Sequence, residues 1–183
     1  MQFDEVISNR KTIRKYIPKE VSKELLLKII NSARLAPSAK NRQPWRFYIL
    51  NNIEQKYIVN LMYQWEQENP NEKTSIKGSA RQMEQVDRVI LIYSPIYKNK
   101  NKKLYYQKPD YLSLGAAIEN MCLTCTDLGL GSCWCCDILY IENEINSYLN
   151  INNYELISGL MIGYSEIIPQ SSPRMDLDKL IFS

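Results

Sequence analysis

The chain has 183 residues, of which 45% are hydrophobic and 23% are charged, and its formal net charge is +3. These values predict one soluble globular domain over residues 1–183, and the small charge without a recognisable basic motif argues against a nucleic-acid partner. We also expect a cytoplasmic protein without a membrane partner, because the amino terminus lacks a signal-peptide pattern and no segment reaches the length of a membrane span.

Apolar periodicity predicts most of the elements in the first half of the chain. A first helix over residues 3–9 leads into the basic segment Arg10–Lys15. Ser22 is a candidate N-cap for a second helix, whose apolar residues recur at helical spacing until the pattern stops before Pro37. The elements that follow are a strand over residues 46–50 and a helix over residues 54–67.

The second half contains one apolar strand and one long helix that stand out. Residues 89–93 form a continuous apolar run, which suits a central strand. Residues 97–109 contain five lysines and no apolar period, so we expect a surface excursion or a mobile flap. A helix over residues 110–128 has Asp110 as its candidate N-cap and Gly129 just past its end. The other predicted elements are a helix over 79–86, an extended segment over 132–135, a helix over 141–149, a strand over 155–164 and an irregular tail from residue 165.

A polar loop, Ala36–Trp45, joins the second helix to the first strand, and prolines stiffen both of its ends. Between Pro37 and Pro44 lie short polar side chains, two amides and two cations. A rigid loop of this kind suits a flat ligand with hydrogen-bonding groups, but an ordinary loop before a strand explains the same residues. The loop residues alone leave both interpretations open.

Four segments resemble, in the same order, motifs of the FMN-dependent nitroreductase family. They are Arg10–Tyr16, Ala36–Trp45, Gly129–Trp134, and Gly163-Tyr164 followed by Pro173-Arg174. The resemblance implies an α+β nitroreductase-like fold, with a central, mostly antiparallel β-sheet flanked by helices. It also implies an intertwined homodimer that exchanges its carboxy-terminal segment between subunits.

The resemblance assigns phosphate binding to basic residues near both ends of the chain. Arg10 is similar to the family's phosphate-binding arginine, with Lys11 and Thr12 beside it, and a planar guanidinium suits bidentate binding of phosphate. Arg174 matches the late basic residue that closes on the phosphate. Arg14 matches the cationic position near the pyrimidine edge of the flavin, where a fixed positive charge stabilises the reduced ring.

The resemblance implies that the polar loop covers the flavin bound by the neighbouring subunit. Residues that match Pro37, Ser38, Ala39 and Asn41 cover the flavin across the dimer, and the position of Gln43 lies near the ring edge. Neither subunit alone then forms a complete site.

The segment that follows the third motif also departs from the family's pattern. Trp134, Cys135 and Cys136 match the part that borders the flavin, where a backbone N–H at the Cys136 position contacts N5. Relatives often carry glycines after the tryptophan, whereas this chain carries cysteines. Asp137 is unexpected beside a reduced flavin on electrostatic grounds.

The chain contains no histidine, which removes Ser-His and Cys-His nucleophile pairs. A cofactor that carries the chemistry explains an enzyme of this composition, so we predict no catalytic side chain. The resemblance implies a ping-pong reaction, in which NADH or NADPH reduces FMN and leaves before a nitroaromatic, quinone or similar small molecule is reduced. Specificity is expected from residues 63–78 and 97–111.

All five cysteines lie between Cys122 and Cys136. Three interpretations stay open: buried small hydrophobic residues, a redox or disulfide pair, and a metal or iron–sulfur site. Cys122 and Cys125 form a CxxC motif, but the later cysteines lack a matching one, and we predict no metal ligand. The alternative functions are therefore a flavin-binding or sensory protein with little turnover, and a metal or iron–sulfur protein that uses this cluster.

Overall fold

Four strands form an antiparallel sheet at the centre of the computed structural model, which describes residues 1–182. The strands are β1 (Arg46–Ile49), β2 (Arg88–Pro95), β3 (Gly131–Cys135) and β4 (Tyr154–Gly163). Their order in the sheet is β1-β2-β4-β3, so β1 and β3 form its edges. The predicted α+β fold with an antiparallel sheet is confirmed, and each strand lies within two residues of its predicted bounds.

The alternating side chains of β2 divide the core into two layers. Val89 and Leu91 lie in one hydrophobic cluster, whereas Ile90 and Ile92 lie in the other. All four side chains are fully buried. Because successive residues of a strand point to opposite faces, a continuous apolar run supplies both cores at once.

Helices cover both faces of the sheet. They are α1 (Phe3–Asn9), α2 (Lys23–Arg34), α3 (Asn52–Glu68), α4 (Ile76–Gln85), α5 (Lys100–Asp127) and α6 (Glu142–Tyr148). The helices α2 and α5 pack together over one face, and α3 and α4 pack together over the other. Ser22 caps α2 as predicted, since its hydroxyl accepts a hydrogen bond from the N–H of Leu25 at 3.4 Å. None of the helices within residues 1–182 is both long enough and apolar enough to cross a membrane.

The long helix α5 shows that the flap predicted for residues 97–109 is wrong. The side chain of Asn99 caps this helix, because its oxygen accepts hydrogen bonds from two backbone N–H groups of the first turn at 2.9 and 3.2 Å. The helix continues through Pro109, and Asp110, the predicted N-cap, is a fully buried residue of its interior. Lysine is a good helix former, so a helix that projects into solvent needs no apolar period.

The basic segment that follows α1 adds a backbone partner to the outer edge of β3. The N–H of Ile13 donates a hydrogen bond to the carbonyl oxygen of Ser132 at 2.9 Å, and Thr12 and Ser132 form a parallel bridge. Gly131 permits this approach, because a Cβ atom there would lie 2.8 Å from three side-chain carbons of Ile13. The basic segment is thereby fixed to one edge of the sheet.

We expect Gly131→Ala to lower the free energy of unfolding by about 1–3 kcal/mol, because the added methyl group overlaps Ile13. The matched control is Gly78→Ala in α4, where nothing lies within 4 Å of an added Cβ. Removing that helical glycine raises the stability by about 0.5–1 kcal/mol. Chemical denaturation of both variants measures the difference, and an unchanged Gly131→Ala protein would contradict tight packing of the segment on β3.

Candidate functional site

Residues singled out at opposite ends of the sequence line one cavity. Arg10, Lys11, Thr12, Arg14 and Arg174 surround a space of 430 Å³. The other lining residues are Ile7, Ser8, Pro169, Gln170, Ser171 and Ser172. The structure therefore brings the basic segment and the carboxy-terminal tail to the same place.

Hydrogen bonds connect the tail to the basic segment. The ammonium group of Lys11 donates to the carbonyl oxygen of Ser8 at 3.1 Å and to the hydroxyl of Ser171. Within the tail, Nη1 of Arg174 donates to the carbonyl oxygen of Ser172 at 3.3 Å. These contacts hold cations from both ends of the chain at the rim of the cavity.

The cavity has four cationic side chains, and within the described chain no acidic residue lines it. Glu119 of α5 pairs with Arg10 through Nε, with 3.3 Å between Nε and Oε1, and this contact orients the guanidinium. Guanidinium and ammonium groups beside hydroxyls form a donor set that suits a phosphate group. The residues present therefore fit the phosphate of FMN.

A second cavity of 420 Å³ adjoins the first through Arg14, which lines both. Two of its lining residues, Arg81 and Gln82 of α4, are not among the site residues predicted from the sequence. The thiol of Cys133 lies 3.7 Å from Oε1 of Gln82, so this side chain reaches from α4 to β3. A helical pattern predicts α4 itself, but it does not show which polar side chains face a cavity formed by a distant segment.

The edge strand β3 and the residue after it carry the predicted flavin neighbours Trp134, Cys135 and Cys136. Trp134 and Cys136 are exposed, whereas Cys135 is buried. The carboxylate of Asp137, whose charge was unexpected here, accepts hydrogen bonds from two serine hydroxyls at and near the start of α4, at 2.7 and 2.5 Å. These hydroxyls hold the negative charge of Asp137 toward α4.

Four of the five cysteines are buried, and they are divided between the two cores. Cys122 and Cys125 of α5 lie in the core beneath α2, and Cys133 and Cys135 of β3 lie in the core on the opposite face. Burial raises the pKa of both Cys122 and Cys133 to about 11. No group of three potential ligands in residues 1–182 is placed to hold a metal ion. The arrangement supports cysteines that act as core residues.

The loop residues that the resemblance assigns to the flavin are Pro37, Ser38, Ala39, Asn41 and Gln43. None of these loop residues is among those that line the two cavities. The loop instead contacts α5 through an ion pair between Arg42 and Asp110. Asp110 precedes Glu119, the partner of Arg10, by nine residues, which is about 14 Å along a helix. A single chain does not bring the loop and the cationic cavity together.

Comparison with known proteins identifies one family. The sequence model of the Nitroreductase family matches residues 7–164 of the chain. A 4-nitrobenzoate reductase from Pseudomonas putida is 24% identical over an alignment of 202 residues, which covers 90% of this chain and 86% of the relative.

Solved structures share the fold along the whole chain. A BluB-like flavoprotein from Clostridium difficile has a TM-score of 0.82 and 26% identity, and the match covers 100% of this chain and 99% of the other. A variant of an FMN and NADPH-dependent nitroreductase from Sphingopyxis has a TM-score of 0.80 and 17% identity, with coverage of 100% and 99%.

Proposed function

This chain belongs to the nitroreductase family, whose sequence model covers residues 7–164, and we propose that it is an FMN-dependent oxidoreductase. The proposed electron donor is NADH or NADPH, and the proposed acceptor is a nitroaromatic, a quinone or a similar small molecule. Support comes from two similar proteins: one is named a 4-nitrobenzoate reductase, and the other an FMN and NADPH-dependent nitroreductase.

The observation that carries the proposal is the cationic cavity itself. Arg10, Lys11, Arg14 and Arg174 line it although they come from opposite ends of the chain. Positive charges that line one cavity repel one another, and a bound anion offsets this repulsion. Arg10 and Arg174 would bind the phosphate of FMN, and Lys11 with the hydroxyl of Thr12 would add hydrogen bonds.

When bound, FMN supplies the transfer of reducing equivalents, in a ping-pong order that releases the nicotinamide before the acceptor enters. The protein binds and orients the reactants. Arg14 lines both cavities, so its fixed charge lies where a ligand extends from the phosphate region into the second cavity. We assign Trp134 and the backbone of Cys135 and Cys136 to the wall beside the ring, although none of the three lines either cavity. No side chain is needed as an acid or base, which agrees with a chain without histidine.

A second copy of the chain is proposed to complete the site. The loop with Pro37, Ser38, Ala39, Asn41 and Gln43 would cover the flavin bound by that second copy. The tail supports an exchange between subunits, because it exposes large apolar side chains: Ile168 is 77% exposed, Leu177 73% and Phe182 105%. A partner that covers the tail would remove this apolar surface from water.

A flavin-binding or sensory protein with little turnover would use the same cavity, and its rate of NAD(P)H oxidation distinguishes it from an enzyme. Residues 63–78 and 97–111 are the proposed regions of acceptor specificity. The five free cysteines suit a reducing compartment, so the proposed location is the cytoplasm.

The visible spectrum of the purified protein, recorded before and after anaerobic addition of NADH or NADPH, tests the function. We expect flavin absorption bands that bleach with at least one of the two donors. Added nitroaromatic or quinone then restores the bands. A flavin that stays oxidised with both donors would favour the binding protein, and a protein that cannot take up FMN would refute the proposal.

Arg10→Ala tests the assignment of the phosphate site. Loss of a charge-assisted hydrogen bond weakens FMN binding by about 1.5–3 kcal/mol, or roughly ten- to 150-fold in Kd. The matched control is Arg34→Ala, because Arg34 is an exposed arginine whose side chain donates to Asn31. Fluorescence titration of the two apoproteins with FMN measures the Kd. Equal affinities would show that Arg10 does not bind the phosphate.

Light scattering measures whether the chain is a dimer. We expect a species with twice the chain mass of 21.5 kDa. Two charges placed in the tail, Leu177→Asp and Ile181→Asp, shift this species toward the monomer, because both side chains are proposed to lie against the partner. Ile53→Asp introduces the same charge at another exposed apolar residue and leaves the dimer intact. A wild-type monomer would contradict the proposed assembly.

A further inference from the structure

The loop after α2 holds three non-glycine residues in the left-handed region of backbone conformation. The φ angles are 54° at Lys40, 52° at Asn41 and 49° at Gln43. Such angles are uncommon for residues with a side chain, and they persist where surrounding contacts enforce them. One local contact is the hydroxyl of Ser38, which accepts a hydrogen bond from the N–H of Gln43 at 3.0 Å. The loop needs further support from outside.

That support comes from Arg42, which lies between two of the left-handed residues and has an ordinary φ of −73°. Its guanidinium pairs with the carboxylate of Asp110 in α5. Its Nη2 donates to the carbonyl oxygen of Tyr106 at 3.4 Å, and the guanidinium carbon lies 4.1 Å from the centre of the Tyr106 ring. A planar cation held through three different contacts has little freedom to rotate.

Asp110 is held as firmly as its partner. It is fully buried, and its second oxygen accepts a hydrogen bond from the hydroxyl of Tyr97 at 2.5 Å. Both carboxylate oxygens are therefore used, one by Arg42 and the other by Tyr97. Arg42, Asp110 and Tyr97 form a connected unit that we call the loop anchor.

The loop anchor is not arranged for stability alone. An apolar pair of similar volume often stabilises a protein as well as an ion pair withdrawn from water does, or better. Nε of Arg42 is also buried without a hydrogen-bond partner in residues 1–182, a cost that a pair selected for stability would avoid. What the ion pair adds is a defined position, since its geometry restricts where residue 42 lies.

We propose that Arg42, Asp110 and Tyr97 are positioning residues of the flavin site, which fix the loop in the conformation that covers the partner's cofactor. This inference rests on the proposed function, in which residues 38–43 cover FMN bound by the second subunit. A preorganised loop reduces the entropic cost of binding. A loosened loop therefore weakens FMN binding without any loss of a phosphate contact.

The test compares the loss of one charge with the removal of the whole pair. Asp110→Asn leaves the partly buried guanidinium of Arg42 without a counter-ion, so this variant has a lower Tm and a looser loop. The double variant Arg42→Met with Asp110→Leu replaces the pair with apolar side chains, which restores the Tm but not the restriction on the loop. Tyr97→Phe removes a single hydrogen bond and serves as the mildest variant.

Two measurements follow the loop itself: tryptic cleavage of the apoprotein after Lys40, mapped by mass spectrometry, and the Kd for FMN. We expect both the cleavage rate and the Kd to rise about tenfold or more in Asp110→Asn and in the double variant. Tyr97→Phe shifts both in the same direction by less. The control Glu20→Gln breaks the pair between Arg88 and the exposed Glu20, whose atoms lie 3.1 Å apart, and changes neither quantity.

The outcomes separate this inference from the proposed function. A double variant that regains wild-type Tm, loop protection and FMN affinity together would show a merely structural role and overturn the inference. Unchanged cleavage and unchanged Kd in Asp110→Asn would overturn it as well. If the wild-type protein does not bind FMN, the proposed function fails, while the cleavage of the apoprotein still shows whether the loop anchor holds the loop.

Discussion

The attachment of the basic segment to the edge of the sheet is the interaction on which the site depends. The hydrogen bond from Ile13 to Ser132, at 2.9 Å, sets the position of the cations on either side of it. Tyr16 closes the segment, because its hydroxyl donates to the carbonyl oxygen of Ile13 at 2.8 Å and its ring is buried. Apolar packing thus places the charged groups, whose own contacts are partly open to solvent and add little stability.

The same attachment gives a physical reason for several of the motifs. Gly131 and Gly163 are partners in the β3–β4 register, and the added Cβ atom would meet Ile13 at the first glycine and Tyr16, at 2.9 Å, at the second. The N–H of Ile17 also donates to the carbonyl oxygen of Tyr164 at 2.9 Å. Motifs near the beginning, the middle and the end of the chain therefore meet at one packing contact.

The elements that the sequence predicted well are those with a local signal. The apolar run of β2 and the Ser22 cap depend on neighbours in the chain, and both are confirmed. Asp110 was misread because an acidic residue before a helical pattern resembles an N-cap, whereas its partner Arg42 lies 68 residues away. The cations of the cavity were found through a family resemblance, while Arg81 and Gln82 carried no signal because their neighbours come from other segments. Pairings between distant segments are what a single sequence does not show.

The left-handed residues of the loop limit which substitutions can make this protein more stable. Each strained residue of this kind costs on the order of 1–3 kcal/mol in the folded state. Glycine at Lys40 or Gln43 would relieve that cost, but it would also widen the range of conformations open to the loop. Improved thermal stability and a well-formed site therefore favour opposite substitutions at the same few positions. In the proposed function, the conflict between stability and activity is therefore concentrated in one short loop.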